Sequence, residues 1–395
     1  MNYDEVAAMR KAFKTVIERQ RINSPPDFEM KKKQLKTARK ICVGNETLMK
    51  TTISNLEKNG IIVHVAKEKQ NAFEIILNEI GGEKLVVKSK SNVTKEIELT
   101  KTLKNKGITV IETDIGDRIL QRLVLSPSHP TGPISHISAK DIAERFCGQG
   151  IHTGETPEEI VKFIREEISE SIRKSNIGIT GANALTAEEG SIIITHNEGN
   201  ISEVRRKKTH IILTSIDKIY TNIEEAMNML KILSFNATGA IIPSFVDIIS
   251  GVSKTADVEK KFFRGIHPPE KVVLIILDNK RSEIIRQGYR ELLYCIGCGN
   301  CLLHCPMYNT IGNMYGKDNY LGGKGLAYNS LCSGETKNLD LCLTCGKCRD
   351  NCPVEIDLPG IIRELRGKDI PNDVYFFLKS HFYWVYYNLS MKLQD

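Results

Sequence analysis

Two four-cysteine motifs constrain this chain more than any other feature: Cys295-x2-Cys298-x2-Cys301-x3-Cys305-Pro306 and Cys342-x2-Cys345-x2-Cys348-x3-Cys352-Pro353. A cubane of four irons takes one thiolate per iron. Three closely spaced cysteines can wrap three corners, and the fourth must come from elsewhere; in two-cluster ferredoxins it comes from the other motif. The spacing therefore predicts two [4Fe-4S] clusters, one on Cys295, Cys298, Cys301 and Cys352, the other on Cys342, Cys345, Cys348 and Cys305. Structural zinc also uses CxxC pairs, but it would leave the third cysteine and the Cys-Pro of each motif unexplained, twice over. Of the 11 cysteines, only Cys42, Cys147 and Cys332 fall outside the motifs, and each reads as a small buried hydrophobe.

Cysteines packed this way point to metal in a reducing compartment rather than to disulfides. No stretch reaches the ~18 consecutive apolar residues of a membrane span, and residues 1–20 are amphipathic and charged without a signal-peptide core. The expectation is a cytoplasmic chain with no transmembrane segment. The formal net charge of +7 is spread over two short runs, Lys31–Lys33 and Arg205–Lys208. With no aromatic interleaving and no finger-type Cys/His spacing, no nucleic-acid partner is expected.

At roughly 150 residues per domain, 395 residues suggest two or three domains. Residues 1–39 read as a helical segment broken at Ser24-Pro25-Pro26. From Ile41 to about Asp278, short apolar runs (ICVG, IIVHVA, LVVK, ITVIETD, IGIT, SIIITHN, HIILTSI, KVVLIILDN) alternate with amphipathic ones over Glu46–Lys58, Ala72–Ile80 and Val93–Lys106. That alternation predicts an α/β domain with a largely parallel sheet over 40–281. Capping boxes at Thr156–Glu159 and Thr221–Glu224 predict two further helix starts. After Arg281 the β-branched runs end, and 282–372 reads as a helical two-cluster domain. The 36 residues between Cys305 and Cys342 resemble the helical ferredoxin module of succinate dehydrogenase and heterodisulfide reductase subunits. A last element, 373–395, carries eight aromatic residues, with Tyr375, Leu378, Phe382, Val385, Tyr386 and Leu389 on one helical face.

The stretch Gly178–Asn200 combines glycines with polar groups at strand ends, and on spacing alone its glycines could serve turns and Asn197–Asn200 a hairpin loop. It resembles the signature of the lactate-utilisation (LUD) domain. Lys88–Ser91, Glu112–Gly116, Ser128–His136 and Leu277–Asn279 resemble other segments of that domain in the same order. With the twin motif and Val354–Pro359, residues 40 to about 365 resemble the family's iron-sulfur subunit. Two positions depart from it: Asn92 stands where methionine is expected, and Cys295-Ile-Gly-Cys298 carries glycine where the family is often basic.

The resemblance implies a sheet fold similar to sugar-phosphate isomerases and coenzyme A transferases. It also implies a cysteine-rich-domain redox subunit and a second LUD subunit as partners in oxidising L-lactate to pyruvate. No Rossmann or Walker loop is present, so the chain itself shows no organic hydride acceptor. Within the LUD pocket, Lys88 is expected to hold a small carboxylate and His129, His136 or Glu188 to take a proton, with Gly181, Asn183, Glu198 and Asn200 binding the ligand. The alternative is an electron-transfer and docking module of a heterodisulfide-reductase-type complex with a catalytically silent LUD domain.

Overall fold

The computed structural model describes residues 1–317 and 319–367; the aromatic element expected at 373–395 lies outside them. Helices α1 (Tyr3–Ile22) and α2 (Phe28–Cys42) flank the Ser24-Pro25-Pro26 break, and α1 starts on a capping box of Asn2 and Glu5. The run Ile41–Gly44 is the end of α2 and its turn rather than a strand. Leu35, Ala38, Arg39 and Cys42 are buried at helical spacing, so the apolar run continues a helix face instead of starting a sheet. The helix thereby crosses the expected boundary at 39/40.

The α/β region follows with α3 (Glu46–Lys58), β1 (Ile62–Ala66), α4 (Lys69–Ile80), β2 (Leu85–Lys88), α5 (Asn92–Glu96), α6 (Leu99–Asn105), β3 (Thr109–Glu112) and α7 (Ile115–Leu123). One helix was expected over Val93–Lys106. It breaks in two at Glu98, whose φ of +52° is left-handed. Next come α8 (Ala139–Cys147), α9 (Pro157–Lys174), β4 (Ile177–Thr180), β5 (Ala184–Thr186), β6 (Ser191–His196), α10 (Asn200–Val204), β7 (Thr209–Ser215), β8 (Ile219–Tyr220), α11 (Ile223–Thr238), β9 (Phe245–Ile249), β10 (Lys254–Thr255), β11 (Phe263–Arg264) and β12 (Lys271–Leu277). Helix α9 begins on the Thr156/Glu159 box as its sequence dictates. Helix α11 is capped one residue later than expected: Asn222 accepts from Glu225 N–H, while the Glu225 carboxylate accepts from Thr221 N–H. Asn197–Asn200 is a turn leading into α10, not a hairpin loop.

Six strands form a fully parallel sheet in the order β1-β12-β7-β4-β2-β3. Strand β12, between β1 and β7, is apolar along almost its whole length because both faces are covered. Val273, Ile275 and Leu277 pack with α4 and α6 on one face; Val272, Leu274 and Ile276 pack with Leu56 of α3 on the other. A second, mixed sheet, β8-β5-β6-β9, stands beside it. Ile160, Ile164, Ile168 and Ile172, one face of α9, close a further core against α7 and α8.

His210 in β7 is fully buried, with Nε2 2.8 Å from Thr180 Oγ1. Burial pushes its pKa from 6.5 down to about 3. The unfolded chain therefore binds the extra proton between these values, so the stabilisation is complete above pH 6.5 and is lost as pH falls toward 3. Between pH 7 and pH 5 urea denaturation should show a loss of about 2 kcal/mol from this residue. His210→Leu should lack that increment, and an unchanged pH slope in the variant would contradict it.

The cysteine-rich region contains α12 (Arg281–Arg286), a 3-10 turn at Arg290–Tyr294, α13 (Asn300–Leu303), α14 (Pro306–Ile311), α15 (Gly322–Ser333), α16 (Lys347–Asp350) and α17 (Leu358–Arg366). The composition shift at Arg281 does not produce an independent core. Val6, Met9 and Phe13 of α1 pack in one cluster with Ile193 of β6, Leu230 of α11, and Leu302, Tyr308, Leu326 and Ile362 of the cysteine-rich region. Among the described residues no helix is long and apolar enough to cross a membrane.

Candidate metal centres and adjoining cavity

The two cysteine motifs repeat in conformation as well as in sequence. Gly297 (φ +79°) and Thr344 (φ +47°) are both left-handed, and their N–H groups donate to Cys295 Sγ and Cys342 Sγ, each at 3.4 Å. Gly299 and Gly346 are left-handed too and start the one-turn helices α13 and α16, which carry the third cysteines. Pro306 opens α14, and Tyr308 N–H donates to Cys305 Sγ at 3.5 Å. Amide donors of this kind stabilise thiolate sulfur and tune cluster potentials.

Mutual electrostatics sort the eight thiols into two quartets. Cys298 and Cys301 each feel Cys295 and Cys352, whereas Cys305 and Cys348 each feel Cys342 and Cys345. Cys301 and Cys348 also sense one another, so the quartets are neighbours. A cavity lined by Cys305, Cys342, Cys345 and Cys348 of the second set also reaches Cys301 of the first. Burial, then repulsion among the thiols, drives Cys298, Cys301, Cys305 and Cys348 toward the neutral form; Cys305 is pushed up to about 12. Four thiols crowded together can ionise jointly only around compensating positive charge, which iron supplies. Among the described residues no three His, Cys, Asp or Glu side chains are arranged to hold a single ion, and the ligands of a cubane, one per iron, do not converge on a point. The donor set fits two clusters.

The other three cysteines stand apart from both quartets. Cys42 is buried at the end of α2, 3.6 Å from Thr221 Oγ1 and 3.7 Å from Glu225 Oε2. Cys147 ends α8 and is exposed rather than buried as expected, because α8 turns Phe146 inward instead. Cys332 is half-buried in α15.

Beside the first quartet lies a cavity of about 390 Å³. One side is built from the carboxyl ends of the parallel strands, where open α/β sheets place their ligands: Lys90 and Ser91 after β2, Asp114 after β3, Gly181 and Asn183 after β4, Asp217 and Lys218 after β7. The other side is the loop Cys295–Gly297 together with Lys324 and Tyr328 of α15. Gly181 is required at the floor, since a Cβ there would sit 2.7 Å from Ser91 Oγ.

Of the residues singled out from sequence, Gly181, Asn183, Glu198 and Asn200 line this cavity; Lys88, His129, His136 and Glu188 do not. Lys88 is 1% exposed and donates to Glu112 Oε2 at 2.9 Å and Ser89 O at 3.1 Å. Of these two neighbouring lysines it is Lys90 that lines the cavity, where it binds Asp114 at 2.6 Å and Thr131 O at 3.1 Å. His129 is buried and joins the two halves of the molecule. Its Nδ1 accepts from Thr131 and Gly132 N–H, which leaves Nε2–H to donate to Gly299 O at 3.3 Å, within the first cysteine motif. Burial pushes both His129 and His136 down to about 4, and His136 lies near Glu5 of α1. Glu188 is exposed in the turn after β5, its backbone carbonyl turned toward Asn55.

Two carboxyl groups at the cavity are driven apart. Asp114 is held below its usual range by Lys90 in spite of burial. Glu198, at the mouth, is pushed up to about 7 by desolvation and by the Asp114 charge, although Ile115 N–H donates to it at 3.0 Å. Such a pair supplies one ionised and one partly protonated group side by side.

Sequence reasoning missed a buried ionic network behind the cavity. Arg281 Nε donates to Asp217 at 2.7 Å, and its two Nη atoms donate to Glu96 at 3.0 and 2.8 Å. Burial would raise Asp217 and Glu96; the cations Lys218, Arg281 and Arg39 hold Asp217 well below its usual range, and Arg281 holds Glu96 below its own. Arg39, fully buried in α2, donates to Leu293 O at 2.7 Å and Tyr294 O at 3.2 Å, and Lys218 Nζ donates to Cys295 O at 3.2 Å. The segment leading into the first motif is thus fixed by charges from α2 and the β7 loop. Isolated cations such as Lys218 and Arg281 carry no periodic signal that would have marked them.

A parallel-sheet domain whose ligand end abuts a twin-cysteine module defines an iron-sulfur protein of LUD type. The LUD domain family matches residues 49–277 and the 4Fe-4S dicluster domain matches residues 291–356. The chain belongs to the LUD domain family. It is 34% identical over 328 residues to Lactate utilization protein B of Lysinibacillus sphaericus (strain C3-41), covering 81% of this chain and 67% of the relative. To the Uncharacterized electron transport protein YkgF of Escherichia coli (strain K12) it is 35% identical over 312 residues, covering 77% and 64%. The chain thus spans about two thirds of the length of these relatives. A crystal structure of a DUF162 family protein from Deinococcus radiodurans aligns with 59% of this chain and 97% of its own at 11% identity and a TM-score of 0.32, a likeness that adds nothing to the fold described above.

Proposed function

We propose that the chain is the electron-transfer subunit of an assembly that oxidises L-lactate to pyruvate in the cytoplasm. It carries one [4Fe-4S] cluster on Cys295, Cys298, Cys301 and Cys352 and another on Cys342, Cys345, Cys348 and Cys305. The observation that carries this reading is that Cys298 and Cys301 lie near Cys295 and Cys352, and Cys305 and Cys348 near Cys342 and Cys345, in a chain related to lactate utilization protein B. When bound, the clusters supply one-electron transfer. The protein's part is to hold the thiolates, to donate amide hydrogens to Cys295, Cys342 and Cys305, and to fix the first motif through Arg39, Lys218 and His129.

Lactate oxidation releases two electrons and two protons, and this chain offers single-electron carriers without a hydride acceptor. The reading therefore requires partners: a cysteine-rich-domain redox subunit and a second LUD subunit. The native assembly, purified anaerobically and mixed with L-lactate, should form pyruvate and develop the electron paramagnetic resonance signals of reduced [4Fe-4S] clusters. An assembly whose clusters dithionite reduces but L-lactate leaves oxidised would overturn the reading.

A further inference from the structure

Each cysteine motif opens at the end of a short 3-10 turn: Arg290–Tyr294 runs into Cys295, and Leu339–Leu341 runs into Cys342. A helical turn ends in carbonyl oxygens short of donors, and in both places a cation from elsewhere in the chain supplies them. At the first turn Arg39 donates to Leu293 O and Tyr294 O, and Lys218 Nζ donates to Cys295 O at 3.2 Å. At the second, Arg366, the last residue of α17, donates through Nε to Leu339 O at 3.0 Å and through Nη2 to Leu339 O at 2.6 Å and to Cys342 O. Lys218 lies 77 residues before Cys295 and Arg366 lies 24 residues after Cys342, so the match is not part of the repeated motif itself. The two cations differ in what balances them. Lys218 stands 3.5 Å from the buried carboxylate of Asp217. The Arg366 side chain is 5% exposed, and its one ion pair among the described residues is to Asp340 at 4.0 Å, a carboxylate 80% exposed and screened by water.

We propose that Arg366 is an electrostatic positioning residue for the cluster held by Cys342, Cys345, Cys348 and Cys305: it grips Cys342 by its carbonyl and raises the reduction potential of that cluster, as Lys218 does for the cluster that begins at Cys295. This role presupposes the two clusters of the electron-transfer reading and extends it to how their potentials are set apart. A cluster becomes more negative by one charge on reduction, and a buried cation beside a ligating residue stabilises that state, so it draws the potential upward. Groups behind the ligands that orient them also tune the metal they hold. Because Arg366 bonds the second motif and Lys218 the first, each charge acts mainly on its own cluster. Because Asp217 offsets Lys218 in the interior while Asp340 faces water, the larger effect belongs to Arg366.

A reductive titration of the full, anaerobically reconstituted chain, followed by electron paramagnetic resonance, tests it. Arg366→Gln keeps a donor near the two carbonyls and removes the charge. One of the two midpoint potentials should fall, so that at its wild-type midpoint the ratio of reduced to oxidised cluster drops about ten-fold, 59 mV for a one-electron couple, while the other midpoint moves much less. Arg366→Lys restores the charge and should bring the midpoint back toward wild type. Lys218→Gln should lower the other midpoint, and by less. Iron near eight per chain, by the one-thiolate-per-iron count, shows that ligation is intact in each variant. If Arg366→Gln binds less iron, Asp340→Lys keeps the test open, since it alters only an exposed side chain at the same turn: at low salt it should raise one midpoint. With both clusters bound, unchanged midpoints in Arg366→Gln or in Asp340→Lys, equal shifts of both midpoints, or no recovery in Arg366→Lys would overturn the proposal. Four irons in the wild-type chain would instead remove the two-cluster reading on which it rests.

Discussion

Replacing Cys298 by serine is expected to halve the iron bound after anaerobic reconstitution, from about eight to about four per chain by the one-thiolate-per-iron count. Cys345→Ser should do the same through the other quartet. The double variant should bind almost none. Cys298 is buried among Cys295 and Cys352, and burial holds its thiol strongly neutral without metal; a serine there offers a far poorer ligand at the same corner. Cys42→Ser, Cys147→Ser and Cys332→Ser should keep all the iron, since none of the three faces a quartet. Colorimetric iron and the resonance spectrum of the reduced protein report the outcome. Four irons in wild type, or iron loss in the Cys42, Cys147 and Cys332 variants, would contradict the two-quartet assignment.

The second large effect belongs to Arg281. It is the shared partner of two buried carboxylates, Glu96 and Asp217, and Arg281→Met would leave Glu96 without its cation and Asp217 with only Lys218 and the more distant Arg39. Removing one partner from a buried ionic set typically costs about 3–5 kcal/mol, because a charge is stranded away from water. A urea midpoint lowered accordingly is expected. Adding Glu96→Gln and Asp217→Asn to Arg281→Met should recover much of the loss, since the stranded charges are then gone. A single variant that loses under about 1 kcal/mol, the scale of an exposed pair, would show that the network is solvated and does not hold the first motif in place.

The sequence announced whatever is set by local chemistry. Cluster ligation fixes cysteine spacing within a few residues, a buried parallel strand such as Lys271–Leu277 needs an unbroken apolar run, and the Thr156/Glu159 cap is decided within one turn of helix. What escaped was set by distant partners. Ile41–Gly44 reads as a strand until α2 is seen to bury Leu35, Ala38 and Cys42 along one face. Lys88 and Lys90 are two residues apart and chemically identical; only Glu112 on one side and Asp114 on the other decide which reaches the cavity. His129 reads as a pocket base, yet its ring is used up by Thr131, Gly132 and Gly299. Lys324, on the cavity wall, lies between the cysteine motifs, where no periodic pattern marks it.

The packing of α1 bears on how the chain is made. Phe13 stacks on Tyr308 with ring centres 6.4 Å apart and meets His129 edge-on at 5.5 Å. Phe13 leaves the ribosome about 300 residues ahead of Tyr308, and at 5–20 residues per second that is a wait of roughly 15–60 s. Throughout it Val6, Met9 and Phe13 have only part of the surface that will cover them. The nascent chain therefore carries a sticky helix until its last third emerges. A holdase that masks the first 20 residues during synthesis would cover this apolar face until its partners in the last third of the chain emerge.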